Sequence, residues 1–260
     1  RAQKKETLVV GLNGSQGSGK STLCAYLTQA LAEDAGLTSV AISLDDVYLT
    51  HAERQALARE VHPLLATRGV PGTHDLALLQ STLAALGHAG DEVAVPSFDK
   101  SIDDRRPQTD WLRVAPPVDV ILLEGWCLGA RHEAPEELHV ALNALEADED
   151  GDARWRSFVN EQLAVSYEPF YSLIDFWIML AAPAFDQVLR WRTEQEEKLR
   201  LSVGGRGEGL MDDAALARFV AHFERCTRQC MRDLPGQVDL HLQLDAQRHI
   251  ISAHGLDTEH

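Results

Sequence analysis

The chain has 260 residues, 45% of them hydrophobic and 25% charged, a globular composition that excludes collagen, a coiled coil and wholesale disorder. Lys plus Arg number 24 against 40 Asp plus Glu, a net charge of −16. So acidic a chain suits neither nucleic acid, where affinity rests on phosphate neutralisation, nor an anionic membrane surface. A small anionic substrate stays open, because a few local cations outweigh a global field.

Thr7 to Leu12 (TLVVGL) reads as a short buried strand. A Gly/Ser stretch follows, then a helix from Lys20 with Leu23, Leu27, Ala30 and Leu31 on one face, closed by Gly36. Ser39 to Leu44 is a second buried strand, His51 to Glu60 and Asp75 to Leu86 read as helices, and Glu92 to Val95 is a short strand. Val118 to Leu123 is a fully apolar strand, and residues 146–152 (EADEDGD) read as a solvated acidic turn. A helix within Asp152 to Tyr171, a strand Phe176 to Ala181 and a helix from Phe185 to about Leu201 come next. Gly204 to Gly209 (GGRGEG) reads as a flexible loop, Asp212 to Arg232 as a helix and Val238 to Leu244 as a last strand. Strands alternating with helices predict an α/β fold with a mainly parallel sheet covered on both faces. Nothing marks an interdomain linker, so residues 1–260 are expected to form one domain.

Cys24, Cys127, Cys226 and Cys230 form no CxxC and have no zinc spacing. They read as free thiols of a cytoplasmic protein. No apolar stretch reaches the ~20 residues of a spanning helix. The chain opens on Arg1 rather than Met, which leaves a removed targeting segment open.

Gly14 to Ser21 (GSQGSGKS) fits the G-x-x-x-x-G-K-[ST] template, with a strand before it and a helix after. Glycines let the backbone approach phosphate oxygens, and the exposed N–H groups and helix N-terminus make an anion cradle. Gly14, Ser15, Gln16, Gly17, Ser18, Gly19, Lys20, Ser21 and Thr22 are therefore the expected nucleoside-triphosphate site. Lys20 is expected to reach the β- and γ-phosphates, and the Ser21 hydroxyl to ligate Mg²⁺.

Two carboxylate positions follow strands, Asp45–Asp46 and Glu124. Ligands bind at the C-terminal ends of such strands. A kinase needs one carboxylate on the metal side and one to take the acceptor's proton. Asp45 is assigned the base and Glu124 the metal, with the roles open to exchange. An alternative for the Asp pair is a helix N-cap.

No N-K-x-D motif of a GTPase is present, and the strand after Val118 ends Glu124-Gly125 rather than in the Asp-Glu pair of ATP-driven motors. The ordered blocks GSQGSGKST, LDDVYLT, RGVPGTHD, VPSFDKSIDDRRP and ILLEGW resemble the P-loop kinases that include phosphoribulokinase, uridine kinase and bacterial pantothenate kinase. With WRTEQEEKLR added, they look like the D-glycerate 3-kinase branch, over residues 8 to about 231. The resemblance implies a three-layer P-loop α/β/α sandwich, Asp45 as catalytic base, and a mobile helical lid over about 184–210. Arg192 and Arg190 would close with that lid over the triphosphate.

The acceptor side is expected at Asp45, Tyr48, His74, Asp75 and Trp126, with Lys100, Arg105 and Arg106 supplying cations for a carboxylate. His74–Asp75 also suits a turn and helix cap, Trp126 the core, and the cations surface ion pairs. The expected activity is ATP- and Mg²⁺-dependent phosphorylation of a small hydroxy acid, D-glycerate to 3-phosphoglycerate. The alternatives are another small acceptor (pantothenate, a nucleoside or a sugar) or a non-catalytic ATP-binding regulator.

Overall fold

The computed structural model describes residues 7–202 and 211–255. Its elements in chain order are β1 (Leu8–Gly14), α1 (Lys20–Ala35), β2 (Ser39–Ser43), α2 (His51–Glu60), α3 (Leu76–Leu86), β3 (Val93–Val95), β4 (Phe98–Asp99), β5 (Asp104–Arg105), β6 (Leu112–Val114), β7 (Val120–Gly125) and α4 (Ala144–Glu149). Then follow α5 (Arg154–Gln162), which runs through a π-turn into α6 (Glu168–Phe170), β8 (Phe176–Ala181), α7 (Phe185–Ser202), α8 (Asp213–Asp233), β9 (Leu240–Leu244) and β10 (Ile250–His254).

Six strands form the main sheet in the order β10-β9-β8-β1-β7-β2. All neighbours are parallel except β9 and β10. Because side chains alternate along a strand, the sheet buries both faces. On one face Val10, Leu12, Ile178 and Leu180 pack on Cys24 of α1 and on Val188 and Trp191 of α7. On the other, Val40, Ile42, Ile121 and Leu123 pack on Leu79 and Leu83 of α3, Trp155 and Val159 of α5, and Phe223 and Cys226 of α8. The chain is thus a P-loop-type three-layer α/β/α sandwich.

The register sets the functional edge. Glu124 of β7 is level with Leu12 of β1 on one side and Ser43 of β2 on the other. The loops that follow these three strands therefore open at one end of the sheet, where a parallel sheet places its ligand.

Three expectations change. The acidic run 146–152 is no solvated loop: its first half is the end of α4, and Glu146 is 1% and Asp150 0% exposed. Glu146 takes Nε and Nη2 of Arg225 at 2.8 and 2.6 Å, and Asp150 takes Nη1 of Arg156 at 2.8 Å and caps α5 at the Trp155 N–H. Burying a carboxylate is costly unless it is paired and hydrogen-bonded, and these partners lie on α5 and α8. The strand near Val95 belongs outside the main sheet, paired antiparallel with β6. The main sheet carries an extra antiparallel edge, β10. The expected loop Gly204 to Gly209 lies outside the described residues. No described helix is long and apolar enough to cross a membrane.

Candidate active site

The cradle between β1 and α1 is shaped by close backbone approach. Gly17 sits at φ 76, and a Cβ there would come within 2.7 Å of the Cβ of Trp191, so only glycine fits this left-handed turn. Lys20 opens α1, its Nζ donating to the Ser15 carbonyl at 3.2 Å and standing 3.9 Å from Glu124 Oε2. Ser21 Oγ donates to Glu124 Oε1 at 2.7 Å. The buried Oγ atoms of Ser15 and Ser18 and Oε1 of Gln16 find no partner among the described residues. Buried polar atoms are normally paired, so this set is built to meet a polar ligand. Thr22 lines the same cavity on the first turn of α1. Asn13, buried at the end of β1, donates to the carbonyls of Trp126 and Leu128 at 3.3 and 2.7 Å and so ties the post-β7 loop to the cradle.

Asp45 and Asp46 lie on a single 3-10 turn, Leu44–Val47, whose N-cap is Ser43, accepting from the Asp45 N–H at 3.2 Å. Neither aspartate is itself the cap. Asp45 Oδ1 accepts from the Tyr48 hydroxyl at 2.6 Å, and Oδ2 from Lys100 Nζ at 2.6 Å. Burial pushes the Asp45 carboxyl upward, but the Lys100 charge and both hydrogen bonds outweigh it and hold the pKa at about 2. Asp46 is shifted the other way, raised by burial and by Asp45, while its Oδ1 accepts from the Phe98 N–H at 3.3 Å. The turn is held from behind. The Asp75 N–H donates to the Val47 carbonyl at 2.7 Å and the Leu49 N–H to Thr73 at 2.9 Å.

The expected acceptor residues divide. Tyr48, Lys100 and Trp126 line the cavity, with Trp126 Nε1 donating to the Gly69 carbonyl at 3.2 Å. His74 stands behind them. Its ring stacks on Tyr48 at 4.8 Å and its Nδ1 meets the Tyr167 hydroxyl at 2.6 Å. Burial lowers its pKa to about 4, which keeps it neutral. Asp75 caps α3 through the Leu78 N–H at 2.9 Å and accepts from Arg105 at 3.2 Å. Arg105 also donates to the Tyr48 carbonyl at 2.9 Å, and Arg106 pairs with Asp99 at 2.9 Å near the surface. Arg105 and Arg106 are therefore committed to their own carboxylates, outside the cavity lining.

Besides Lys100, Arg68 faces the cavity, a cation that sequence reasoning passed over inside the RGVPGTHD block. Its guanidinium lies 5.6 Å from the Phe98 ring and pairs with Asp103. Phe219 and Phe223 of α8 also line the cavity. Their i,i+4 spacing was the available signal.

On the α7 side Arg192 reaches the cavity, pairs with Glu196 at 3.0 Å and lies over Phe219 at 5.6 Å. Arg190 is exposed, outside the cavity lining. Arg248, in the β9–β10 turn at φ 72, had no sequence signal. Its Nε donates to the Gly17 carbonyl at 2.7 Å, its Nη2 to Glu194 at 2.8 Å, and its guanidinium covers Trp191 at 5.0 Å. One side chain thus straps cradle, α7 and the C-terminal ribbon together.

These parts surround a cavity of about 600 Å³. Lys20, Arg68, Lys100 and Arg192 face Asp45, Asp46 and Glu124 across it, a locally cationic balance inside an acidic protein. The hydroxyl of Ser21 beside the carboxylate of Glu124 is a hard-oxygen pair of the kind that Mg²⁺ takes when it also holds a phosphate. Cys24, just behind, is pushed up to about 12 by burial and by Glu124, so it stays a thiol.

No family model matches the chain. Among curated proteins it is 34% identical over 229 residues to an uncharacterized kinase, mug58, of Schizosaccharomyces pombe, covering 83% of this chain and 78% of that one. It is 33% identical over 226 residues to the chloroplastic D-glycerate 3-kinase of Arabidopsis thaliana, covering 83% of this chain and 46% of the plant protein, so it spans about half of that relative's length. Among solved structures, D-glycerate 3-kinase from Cryptococcus neoformans superposes with a TM-score of 0.79 at 26% identity, over 96% of this chain and 90% of that one. The chain belongs to the P-loop kinase family of these relatives, where it groups with the D-glycerate 3-kinase branch.

Proposed function

We propose that this chain transfers the γ-phosphoryl group of ATP to a hydroxyl of a small hydroxy acid, with D-glycerate, giving 3-phosphoglycerate, as the acceptor. The observation that carries the reading is Asp45, held between Tyr48 and Lys100 in the same cavity as the cradle. Two relatives that bear the name D-glycerate 3-kinase support the choice of acceptor.

The cradle amides and Lys20 hold the phosphate tail and take up negative charge as it spreads over the transferring group. Ser21 and Glu124 would hold Mg²⁺, which when bound neutralises phosphate charge. Asp45 accepts the proton of the acceptor hydroxyl and aims its oxygen in line. That oxygen bonds to the γ-phosphorus as the bridging P–O bond breaks, and its electron pair leaves with ADP. Trp126 and Phe223, in edge contact at 4.9 Å, wall the acceptor side against water. α7 serves as the lid, bringing Arg192 to the triphosphate.

The test is coupled ADP release with D-glycerate, pantothenate, uridine, ribulose 5-phosphate and simple sugars. Turnover stimulated by D-glycerate above the rest supports the reading. Equal ADP release with and without every acceptor would replace it with a nucleotide-binding regulator.

A further inference from the structure

Both carboxylate oxygens of Asp45 have a protein partner. One carboxylate oxygen accepts from Tyr48 and the other from Lys100, both at 2.6 Å. A carboxylate bridged to an ammonium is a poor acceptor of an alcohol proton. If this pairing persisted through the reaction, the base would be disabled.

Lys100 is placed to leave. It sits on the turn joining β4 to β5, and its side chain is 58% exposed. Among the described residues its polar bond is the one to Asp45. The base of that turn is anchored independently of Lys100. Asp103 receives Arg54, which is fully buried, through Nη2 at 2.8 Å to its carboxylate and at 2.7 Å to its carbonyl. Arg68 reaches the same carboxylate from the cavity side. Asp104 also acts on Arg54, and of the two guanidinium groups it is Arg68 that faces the cavity. An exposed ammonium and a cavity-facing guanidinium therefore stand on neighbouring loops, beside a base that needs releasing.

We propose that Lys100 is a substrate-operated latch: the acceptor's own carboxylate draws the ammonium off Asp45, with Arg68 as the second cation, and so frees the base only when a hydroxy acid is bound. This rests on the preceding functional reading and deepens it. The carboxylate is then more than a handle for affinity. A neutral polyol of the same length offers the same hydroxyls and leaves Lys100 on Asp45. Water alone does the same, which keeps the triphosphate from being hydrolysed. Once Lys100 has moved, Asp45 retains the Tyr48 hydrogen bond, which keeps the carboxylate aimed while its other oxygen accepts the proton.

The experiment compares D-glycerate with glycerol, in which CH₂OH replaces the carboxylate, and with no acceptor at all, by coupled ADP release. The proteins are the wild type, Lys100→Met, Lys100→Arg and Arg68→Met. A charge-assisted hydrogen bond carries roughly a tenfold to hundredfold preference. The wild type should favour D-glycerate over glycerol in kcat/KM by at least ~10²-fold, from two such contacts. Lys100→Met should cut that ratio by at least ~10-fold and raise acceptor-free ATP hydrolysis several-fold, in the same order as the lost contact. Lys100→Arg should restore much of the ratio. Arg68→Met should lower the ratio with no rise in acceptor-free hydrolysis. A Lys100→Met protein with an unchanged ratio and unchanged hydrolysis overturns the latch while leaving D-glycerate kinase activity standing. A wild type that binds ATP yet turns over neither acceptor overturns the functional reading, and the latch with it.

Discussion

Replacing His74 with Gln tests whether this residue supports the acceptor loop from behind. The Tyr167 hydroxyl accepts from the Gly72 N–H at 3.1 Å, so its own proton goes to His74 Nδ1 at 2.6 Å. That assigns the imidazole proton to Nε2, which has no partner among the described residues. Protonation would place a second N–H against a hydroxyl already donating, in a fully buried site. Burial accordingly lowers the pKa from 6.5 to about 4, against a weaker upward pull from Asp45. The unfolded chain binds this proton below 6.5 and the folded one only below about 4, so stability is intact above pH 6.5 and falls as pH drops through that interval. At 1.36 kcal/mol per pH decade the loss is about 3 kcal/mol. Urea unfolding at a series of pH values from 7 to 4 measures it in the wild type and in His74→Gln. Other buried histidines, such as His222, are common to both proteins and cancel in the difference. The wild type should lose about 3 kcal/mol more than the variant over this range. Parallel stability profiles would refute the argument and return His74 to the list of groups that meet the acceptor.

Asp45→Asn should lower kcat by at least ~10²-fold while the KM for ATP changes less than about 2-fold, as loss of a base rather than of a nucleotide contact. A steady-state series in ATP and D-glycerate separates the two. Arg105→Ala should cost about 1–3 kcal/mol in unfolding free energy, because it leaves Asp75 and the Tyr48 carbonyl without their shared donor. Its KM for D-glycerate should stay near the wild-type value, and a rise of ~10-fold, the size of a lost charged contact, would restore Arg105 to the acceptor site. Arg248→Ala should raise the KM for ATP by roughly 10-fold, in line with losing one charge-assisted bond to the cradle, with the acceptor KM unmoved. Equal rises in both constants would show that the strap acts on more than the nucleotide side.

What was legible in the sequence was local. The strand before Gly14, the glycines and the helix from Lys20 are consecutive, so their chemistry and geometry are written together. The parallel alternation of β2, β7 and β8 with helices placed Asp45 and Glu124 at one edge without any knowledge of contacts. The failures involve contacts that only the fold makes. Nothing near Glu146 announces Arg225, 79 positions on, and although Arg156 follows Asp150 by six residues, nothing in that run shows that the fold buries the pair, so it looked like a solvated turn. Arg105 and Arg68 were equally plausible carboxylate ligands by residue type. The structure separates them only because Asp75 claims the first, whereas the second shares Asp103 with the buried Arg54. The β9–β10 turn carries no recognisable motif, and its arginine matters solely through where the sheet delivers it.

That turn bears on the order in which the molecule matures. The bond from Arg248 to Gly17 spans 231 positions. Contacts of such separation close a long loop and so form late. A chain still emerging from the ribosome would carry a formed strand and helix around its glycines well before those glycines were braced. Refolding followed by a fluorescent ATP analogue should then lag behind the recovery of helical ellipticity, since the brace on the cradle comes from so far along the chain.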